Sequence, residues 1–514
     1  MRMSGNKYSR AMGSIFANGA AFAVSYGISL VLTPYLTEYM GTEACGFVTL
    51  AKQLAQYAAI ITMTLDSFAA RHITIEYYRG CLKQANVFFS SVFFGDLLLA
   101  SAILAVVTGC VFFLERLLNI PEAMAWDIKL LFLFVFVNFW ITTAFTVFGT
   151  SLYIKNRLDI AGLFKGLSYL TEGLVLCIAY ALFPTRVFFV GVGIAAAGVV
   201  VACSNIRLCR KYTPELSPKR KDFSGSAVKR LVMDGIWNSV NSLGDLLNSG
   251  LDLIVCNRML SAVAMGQMAI AKTVYTIFIS LLCVVEQAFQ PMLLKSYARN
   301  DRESLVEELF FAMKVSGMLS NVGFAGFAAL GMAYYRLWIP NQEIELIYWL
   351  TVISLLTIIP GGPMKPLYYI YTLTVKKRIP CFITIAGGVL NVAGMYVLIR
   401  FTGMGIYAVV WTTAAVMMAI NLISNPLYMA HVLHLPWHTF YPGIIRNLLA
   451  CSALTILFQA FARLYMPDNW LCLILCILLY AAAGCALHLA VVFGRRDWNR
   501  IKGLIKRRGA RQND

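Results

Sequence analysis

The sequence predicts an all-α polytopic membrane protein with about fourteen transmembrane helices, and three observations carry that reading. Of 514 residues, 59% are hydrophobic and only 13% are charged, against about 25% charged in an average soluble domain. Too few polar side chains remain to cover a globular surface in water. Apolar runs of roughly 20 residues recur along the whole chain, the length needed to cross about 30 Å of hydrocarbon. The positive charge is also sorted to alternate loops.

The spans are expected near 13–35, 46–65, 87–114, 130–152, 160–183, 187–206, 233–256, 267–293, 311–335, 346–372, 381–399, 405–428, 444–465 and 470–493. With these limits, about 33 of the 43 Lys and Arg residues fall in loops on one side and about 7 on the other. Lys52, Lys272 and Lys365 lie inside spans. By the positive-inside rule the richer side is cytoplasmic, which places both termini inside. The formal charge of +18 therefore reflects topology and contact with anionic lipid, not nucleic acid. The clusters Lys219–Lys221 and Arg495–Arg511 read the same way. The first apolar run is long and lacks a small-residue cleavage site, so it is expected to be a retained first helix.

Chemical motifs are absent. The thirteen cysteines fall mostly within spans and are expected to be free thiols, Cys472 and Cys476 included. His431, His434 and His438 have helical spacing, but Pro436 interrupts the run and no carboxylate accompanies it. No P-loop, nucleophile elbow, zinc signature or dinucleotide fingerprint occurs. The chain is expected not to be an enzyme, and to need no cofactor beyond H⁺ or Na⁺ as a coupling ion.

The longest inside loop, 207–233, contains Pro214 and Pro218 and is the natural linker between halves. It gives an N-lobe at 1–220, a C-lobe at 221–430, and two appended helices with a basic tail at 431–514. Sliding the chain along itself until Asn18 meets Asn238 also brings Gly46 onto Gly266, Ala51 onto Ala271 and Lys52 onto Lys272. In the same register Asp66 meets Glu286, and after one position of slippage Lys155-Asn-Arg157 meets Lys376-Lys-Arg378. An intramembrane lysine costs at least about 2.5 kcal/mol at a helix centre. Two of them in the frame Gly-x-x-x-x-Ala-Lys mark an internal repeat. Six spans per half is an even number, so the repeats are parallel and two six-helix lobes enclosing a cavity follow.

The candidate site residues are the intramembrane polar ones. Lys52 and Lys272 are expected to bind an anionic headgroup, phosphate suiting lysine as a point charge; snorkelling or a private ion pair is the alternative. Lys365, within Pro360-Gly-Gly-Pro-Met-Lys-Pro366, is a third candidate on a broken helix, or else marks an ordinary proline kink. Asn18 and Asn238 could bind a sugar or bond between helices. Asp96, Glu172, Asp245 and Asp252 are buried acids, with Asp66 and Glu286 nearer the cytoplasmic ends. Asp245 and Asp252, seven apart on one helix, would share a face and couple transport to an ion gradient, or balance the lysines.

Several stretches carry a family resemblance: Leu32-Thr-Pro-Tyr-Leu-Thr-Glu-Tyr-Met-Gly41 with Gly46-Phe47, Lys155-Asn-Arg-Leu-Asp-Ile160, and Gly388-Val-Leu-Asn391 through Gly403-Met-Gly-Ile-Tyr-Ala408. The chain resembles the polysaccharide flippases of the multidrug/oligosaccharidyl-lipid/polysaccharide (MOP) superfamily, the O-antigen and exopolysaccharide repeat-unit translocases. That resemblance implies a two-lobed MATE-like bundle alternating access between leaflets of a bacterial plasma membrane. Its cargo would be an undecaprenyl-diphosphate-linked oligosaccharide, carried by a monomer working near other glycan-assembly proteins and among membrane lipids. Related peptidoglycan-precursor flippases carry basic residues in the first helix, and this chain has none between Asn18 and Tyr35. A drug/cation antiporter of the MATE type is the alternative within transport, disfavoured by cavity lysines. An integral-membrane glycan polymerase or acyltransferase is the alternative of another class.

Overall fold

The computed structural model describes residues 4–299, 301–374, 378–494 and 497–498, with side chains from Ala17 onward except Ser249. Lys376 and Lys377 of the repeat match, and the basic residues of the tail, lie outside these. The described chain is helical throughout. In order it runs α1 (Ser4–Met40), α2 (Thr42–Tyr78), α3 (Leu82–Phe112), α4 (Leu114–Leu117), α5 (Ala125–Ala144), α6 (Thr150–Ile154), α7 (Leu158–Leu182), α8 (Phe188–Tyr212), α9 (Gly225–Ser249) and α10 (Asp252–Val255). There follow α11 (Ala262–Ala298), α12 (Arg302–Trp338), α13 (Ile344–Leu355), α14 (Ile358–Met364), α15 (Tyr369–Leu373), α16 (Arg378–Phe401), α17 (Tyr407–Ala419), α18 (Asn425–Val432), α19 (Tyr441–Leu464) and α20 (Trp470–Val492). Among the described residues, thirteen helical segments are long and apolar enough to cross a membrane. The segment expected as the seventh span is not among them. Its main helix, α9, carries Lys229, Arg230, Asp234 and Asp245, and the chain breaks at Gly250–Leu251 before α10.

The internal repeat is present in the helix boundaries. Helices α2 and α11 are both 37 residues long. In the register that sets Lys52 on Lys272, Thr42 meets Ala262 and Tyr78 meets Ala298, so the two helices start and stop together. The Leu82 start of α3 meets the Arg302 start of α12 in that register as well. A 3₁₀ turn at Thr146–Gly149 has its counterpart at Lys365–Tyr368, one position out of step. The Pro/Gly segment is broken as its sequence suggests, passing from α13 through α14 and this turn into α15.

The chain divides into two compact units. The division differs from a cut at residue 220: unit 1 comprises Met1–Leu246 and Leu253–Ala269, and unit 2 comprises Leu247–Asp252 and Ile270–Asp514. Residues after 220 join unit 1 through specific contacts. Ala227 and Leu231 of α9 enter the apolar cluster of Leu65, Ile73, Phe88 and Phe89. Gly235 packs against the Thr64 carbonyl so closely that no side chain would fit. A Cβ on Gly46 would lie 2.9 Å from the Gly266 nitrogen. Asn119 and Asn257 exchange three hydrogen bonds, from Asn119 N to Asn257 Oδ1 (2.8 Å), Asn119 Nδ2 to the Asn257 carbonyl (2.5 Å) and Asn257 Nδ2 to the Asn119 carbonyl (3.1 Å).

Within unit 1, α1 packs along α7 and α5 along α8. The α1–α7 seam is built from small residues: a Cβ on Gly162 would meet the Ala17 Cβ at 2.9 Å, and Gly166 faces Ala21. Lipid tails are as apolar as leucine, so helices associate through such close backbone approach. In unit 2, α12 is the packing centre, touching α13, α14, α19 and α20. Asp301 caps its start by accepting from the Ser304 N–H at 3.0 Å, and the Ser304 contacts hold this carboxyl below its ordinary range. Asn321 Nδ2 donates to the Asn447 carbonyl at 2.9 Å, and Gly484 lets α20 approach Phe458 and Val322. The outward faces are apolar: Leu471, Leu475 and Leu479 of α20 are 65–77% exposed, as a hydrocarbon solvent allows.

Gly109 on α3 has nothing within 4 Å of a built Cβ and serves as a control for the glycine seam. Gly162→Leu should lower the melting temperature of the purified protein by the equivalent of about 1–3 kcal/mol of overpacking, and Gly109→Leu should leave it unchanged. Equal shifts in scanning fluorimetry would show that the seam is not what holds α1 on α7.

Candidate functional site

The two repeat-related lysines occupy the same local position, each ten residues into a 37-residue helix. Their surroundings differ. In unit 1, Lys52 Nζ donates to Glu172 Oε1 of α7 at 3.4 Å. The contact is long, and the Lys52 side chain is 43% exposed while Glu172 is 10% exposed. Glu172 is fixed by the packing of α8, since a Cβ on Gly193 would lie 3.2 Å from the Glu172 carbonyl. A substantially exposed ammonium at this depth cannot rest against hydrocarbon. It needs water or an anion beside it.

In unit 2, Lys272 Nζ donates to Asp252 Oδ2 at 2.6 Å, with side chains 14% and 6% exposed. Two unit charges about 4 Å apart gain about 4 kcal/mol at an effective dielectric constant near 20. That matches the roughly 2.5–3.5 kcal/mol needed to place one lysine at mid-membrane. The buried pair at Lys272 is therefore balanced within the protein. The pair at Lys52 is longer, with only Glu172 buried, and leaves the ammonium largely open.

Asp252 owes its position to the helix break. Because α9 ends at Ser249 and α10 begins at Asp252, Asp245 and Asp252 do not lie on one continuous helix, and the shared face expected from their spacing is not formed. The interruption falls at Gly250, whose lack of a side chain eases departure from helical geometry. Asp245 is exposed on α9 and accepts from Asn241 Nδ2 at 3.2 Å.

Lys365 opens the 3₁₀ turn of unit 2, half-buried, with its ammonium 5.8 Å from the centre of the Tyr368 ring. Its charge acts on Glu286 of α11. The Tyr368 hydroxyl donates to Asn421 Oδ1 and accepts from Asn425 Nδ2 at 3.1 Å, so this lysine sits on a polar network. Asn18 is exposed on α1 where Gly162 of α7 crosses it, and Asn238 is half-buried on α9. Each lysine is thus paired with, or influenced by, a carboxylate. The Lys52–Glu172 pairing, between residues far apart in the chain, has no signature in the sequence beyond both residues being charged within spans.

The cysteines among the described residues are free, and His434 sits at a positive φ of 51° just after α18 ends, so the three histidines do not share a helix. No group of three or more His, Cys, Asp or Glu side chains able to hold a metal occurs among the described residues.

A family model described as "Polysaccharide biosynthesis protein" matches residues 13–297, more than half the chain. The chain belongs to this family. It is 28% identical over 454 residues to the membrane protein EpsK of Bacillus subtilis (strain 168), spanning 88% of this chain and 90% of that one. Among solved structures it is similar to the lipid II flippase MurJ, with a TM-score of 0.65 at 13% identity over 93% of this chain and 99% of the other. It is also similar to a multidrug resistance MATE transporter of the MOP superfamily, with a TM-score of 0.64 at 13% identity over 85% and 98%. The fold is that of the MOP superfamily, as the resemblance in the sequence implied.

If Lys272 is internally balanced and Lys52 is not, removing their acids should have different consequences. Asp252→Asn should destabilise the detergent-solubilised protein by about 3–5 kcal/mol by stranding a buried ammonium, with recovery in Asp252→Asn/Lys272→Met. Glu172→Gln should cost under about 1 kcal/mol, because the Lys52 ammonium left behind is 43% exposed and stays hydrated. Equal losses of thermal stability at both sites would contradict the distinction.

Proposed function

We propose that this membrane protein is a flippase carrying an undecaprenyl-diphosphate-linked oligosaccharide from the cytoplasmic to the outer leaflet by alternating access. Lys52 would take the anionic headgroup, and Lys272 and Lys365 would act as further cationic positions. The carrying observation is the half-exposed Lys52 ammonium with its loose 3.4 Å contact to Glu172. It holds a positive charge at membrane depth that the protein only partly neutralises. A diphosphate supplies the missing counter-charge, and lysine suits it as a compact point charge.

The family points to glycan assembly, and family and fold together point to a transporter rather than an enzyme. The fold alone does not choose the cargo, being shared by a lipid II flippase and by multidrug transporters. A cationic drug would meet like charge at Lys52, which favours the anionic lipid. The loop charges support cytoplasmic termini, the Bacillus subtilis relative supports a bacterial plasma membrane, and a monomer suffices because the repeat supplies both copies in one chain. Asn18 and Asn238 are the candidates for sugar contacts, and Asp245 and Asp252 for ion coupling.

The test is accumulation of lipid-linked oligosaccharide in cells lacking the protein, complemented at matched expression. The null strain should trap the intermediate on the cytoplasmic leaflet. Lys52→Ala should clear it at least tenfold more slowly than wild type, and Lys272→Ala should also be impaired. Normal surface polysaccharide in the null strain, together with raised sensitivity to cationic drugs, would replace the flippase with an antiporter. Unchanged transport in Asp252→Asn would remove that residue from ion coupling.

A further inference from the structure

A second charged constellation lies in unit 1, away from Lys52, and it consists of two acids. Asp66 of α2 and Asp96 of α3 lie within side-chain hydrogen-bonding reach of each other. Asp96 is wholly buried, and neither of its carboxyl oxygens meets a donor; Asp66 Oδ1 is likewise buried without one. The walls are apolar. Leu65, Phe88, Phe89 and Val92 form part of the surrounding cluster, and a Cβ on Gly95 would lie 2.7 Å from Leu65 Cδ2.

The neighbouring charged groups are occupied or turned outward. His72 of α2 is joined to Asp234 of α9 at 2.9 Å, and Lys155 after α6 is bonded to the Tyr77 hydroxyl. On α5, Asp127 pairs with Arg186 and Lys129 with Glu115. Arg71 of α2, Lys229 and Arg230 of α9, and Arg220 of the turn before α9 are exposed. Burial acts first on both carboxyls; after it, the charge of Asp66 acts on Asp96 and the two side chains bond to each other.

Two carboxylates in contact in a low-dielectric setting cannot both ionise. A shared proton turns the repulsion into an O–H···O⁻ hydrogen bond, which is short and strong when one partner is charged. A metal cation is a poorer occupant, because the site offers only two carboxylates and its other walls are hydrocarbon.

We propose that Asp66 and Asp96 hold one shared proton and form a site, separate from Asp245 and Asp252, at which this carrier exchanges H⁺. With α2 and α3 packed as here, the proton bridges the two carboxyls. When water reaches the pair, the O–H bond breaks, the proton passes to water, and both carboxylates become hydrated anions. The assignment concerns α2 and α3 alone and does not depend on which cargo Lys52 takes.

The experiment is infrared spectroscopy of the purified full-length protein across a pH series, in sodium-free buffer and again with added sodium chloride. Wild type should show a protonated-carboxyl C=O band persisting at neutral pH. That band should be lost in Asp96→Asn and shifted in Asp66→Asn, where the wholly buried Asp96 keeps its proton but bonds to an amide. Both variants are nearly isosteric, and melting temperatures check that they fold. A band unchanged in both variants, or no such band in wild type, would overturn the proposal. A wild-type band abolished by sodium at constant pH would also overturn it, showing a cation site in place of a proton site. The readout needs no lipid substrate, so its failure is distinguishable from failure of the flippase reading. For the carrier role, proton release on acid-to-neutral pH jumps in liposomes should fall at least twofold in the double variant. Unchanged release would overturn that role and limit the pair to bonding α2 to α3.

Discussion

A charge placed at the depth of the hydrocarbon must find a counter-charge, a proton or water, because lipid supplies none of them. Three intramembrane constellations here meet that requirement in three ways. Lys272 and Asp252 close on each other at 2.6 Å and are nearly sealed. Lys52 and Glu172 stay 3.4 Å apart, with the lysine substantially open. Asp66 and Asp96 face each other, acid against acid. The closed pair is satisfied within the protein, the open pair leaves its ammonium only partly neutralised, and the acid pair leaves buried carboxyl oxygens without a donor. The functional reading follows from what each arrangement leaves unbalanced.

The same solvent dictates how the helices pack. Apolar side chains gain little by leaving lipid for protein, so the large ones can remain outside, as Leu471, Leu475 and Leu479 do. The interior is then freed for small residues and amides. Gly162 admits α1 onto α7, Gly193 admits α8 onto the Glu172 turn, and Gly46 and Gly266 approach within unit 1. Buried amides complete the contacts, with Asn119 bonding to Asn257 and Asn321 to Asn447. Glu172 is held where Lys52 can reach it only because Gly193 keeps α8 close. The pair depends on a glycine that belongs to neither of its helices.

Much of this architecture is legible from residue spacing. The Gly-x-x-x-x-Ala-Lys frame locates the repeat, and the paired boundaries of α2 and α11 keep its register. The Pro360–Pro366 stretch announces a broken segment because proline and glycine act on the backbone locally. Other features depend on distant partners or on local competition. Nothing near Lys52 points to Glu172, since the two meet only after α2 and α7 pack. The break at Gly250 has no clear local signal, because an isolated glycine is usually tolerated within a helix, and the shared face expected of Asp245 and Asp252 is lost with it. Likewise Asp66 and Asp96 stand on antiparallel neighbours, and their spacing says nothing of whether their side chains turn toward each other.

The repeat also separates what the two copies share from what they do not. Both keep a lysine ten residues into the second helix. The register that sets Lys52 on Lys272 places Asp252 opposite Leu32, and it places Glu172 within the acid-free stretch Asn391-Val-Ala393. The counter-charges are therefore not equivalent: one lysine is met from the fifth span of its copy and the other from the broken first span. Had the lysine served only as half of a structural ion pair, lysine and acid would be expected to repeat together, because losing either strands a charge. A lysine that recurs while its partner changes has a role not exhausted by any one partner. The two partners then set how much of that charge is free: Glu172 leaves Lys52 open, while Asp252 closes on Lys272. The repeat thus carries one lysine left largely open by its partner and one closed behind a carboxylate.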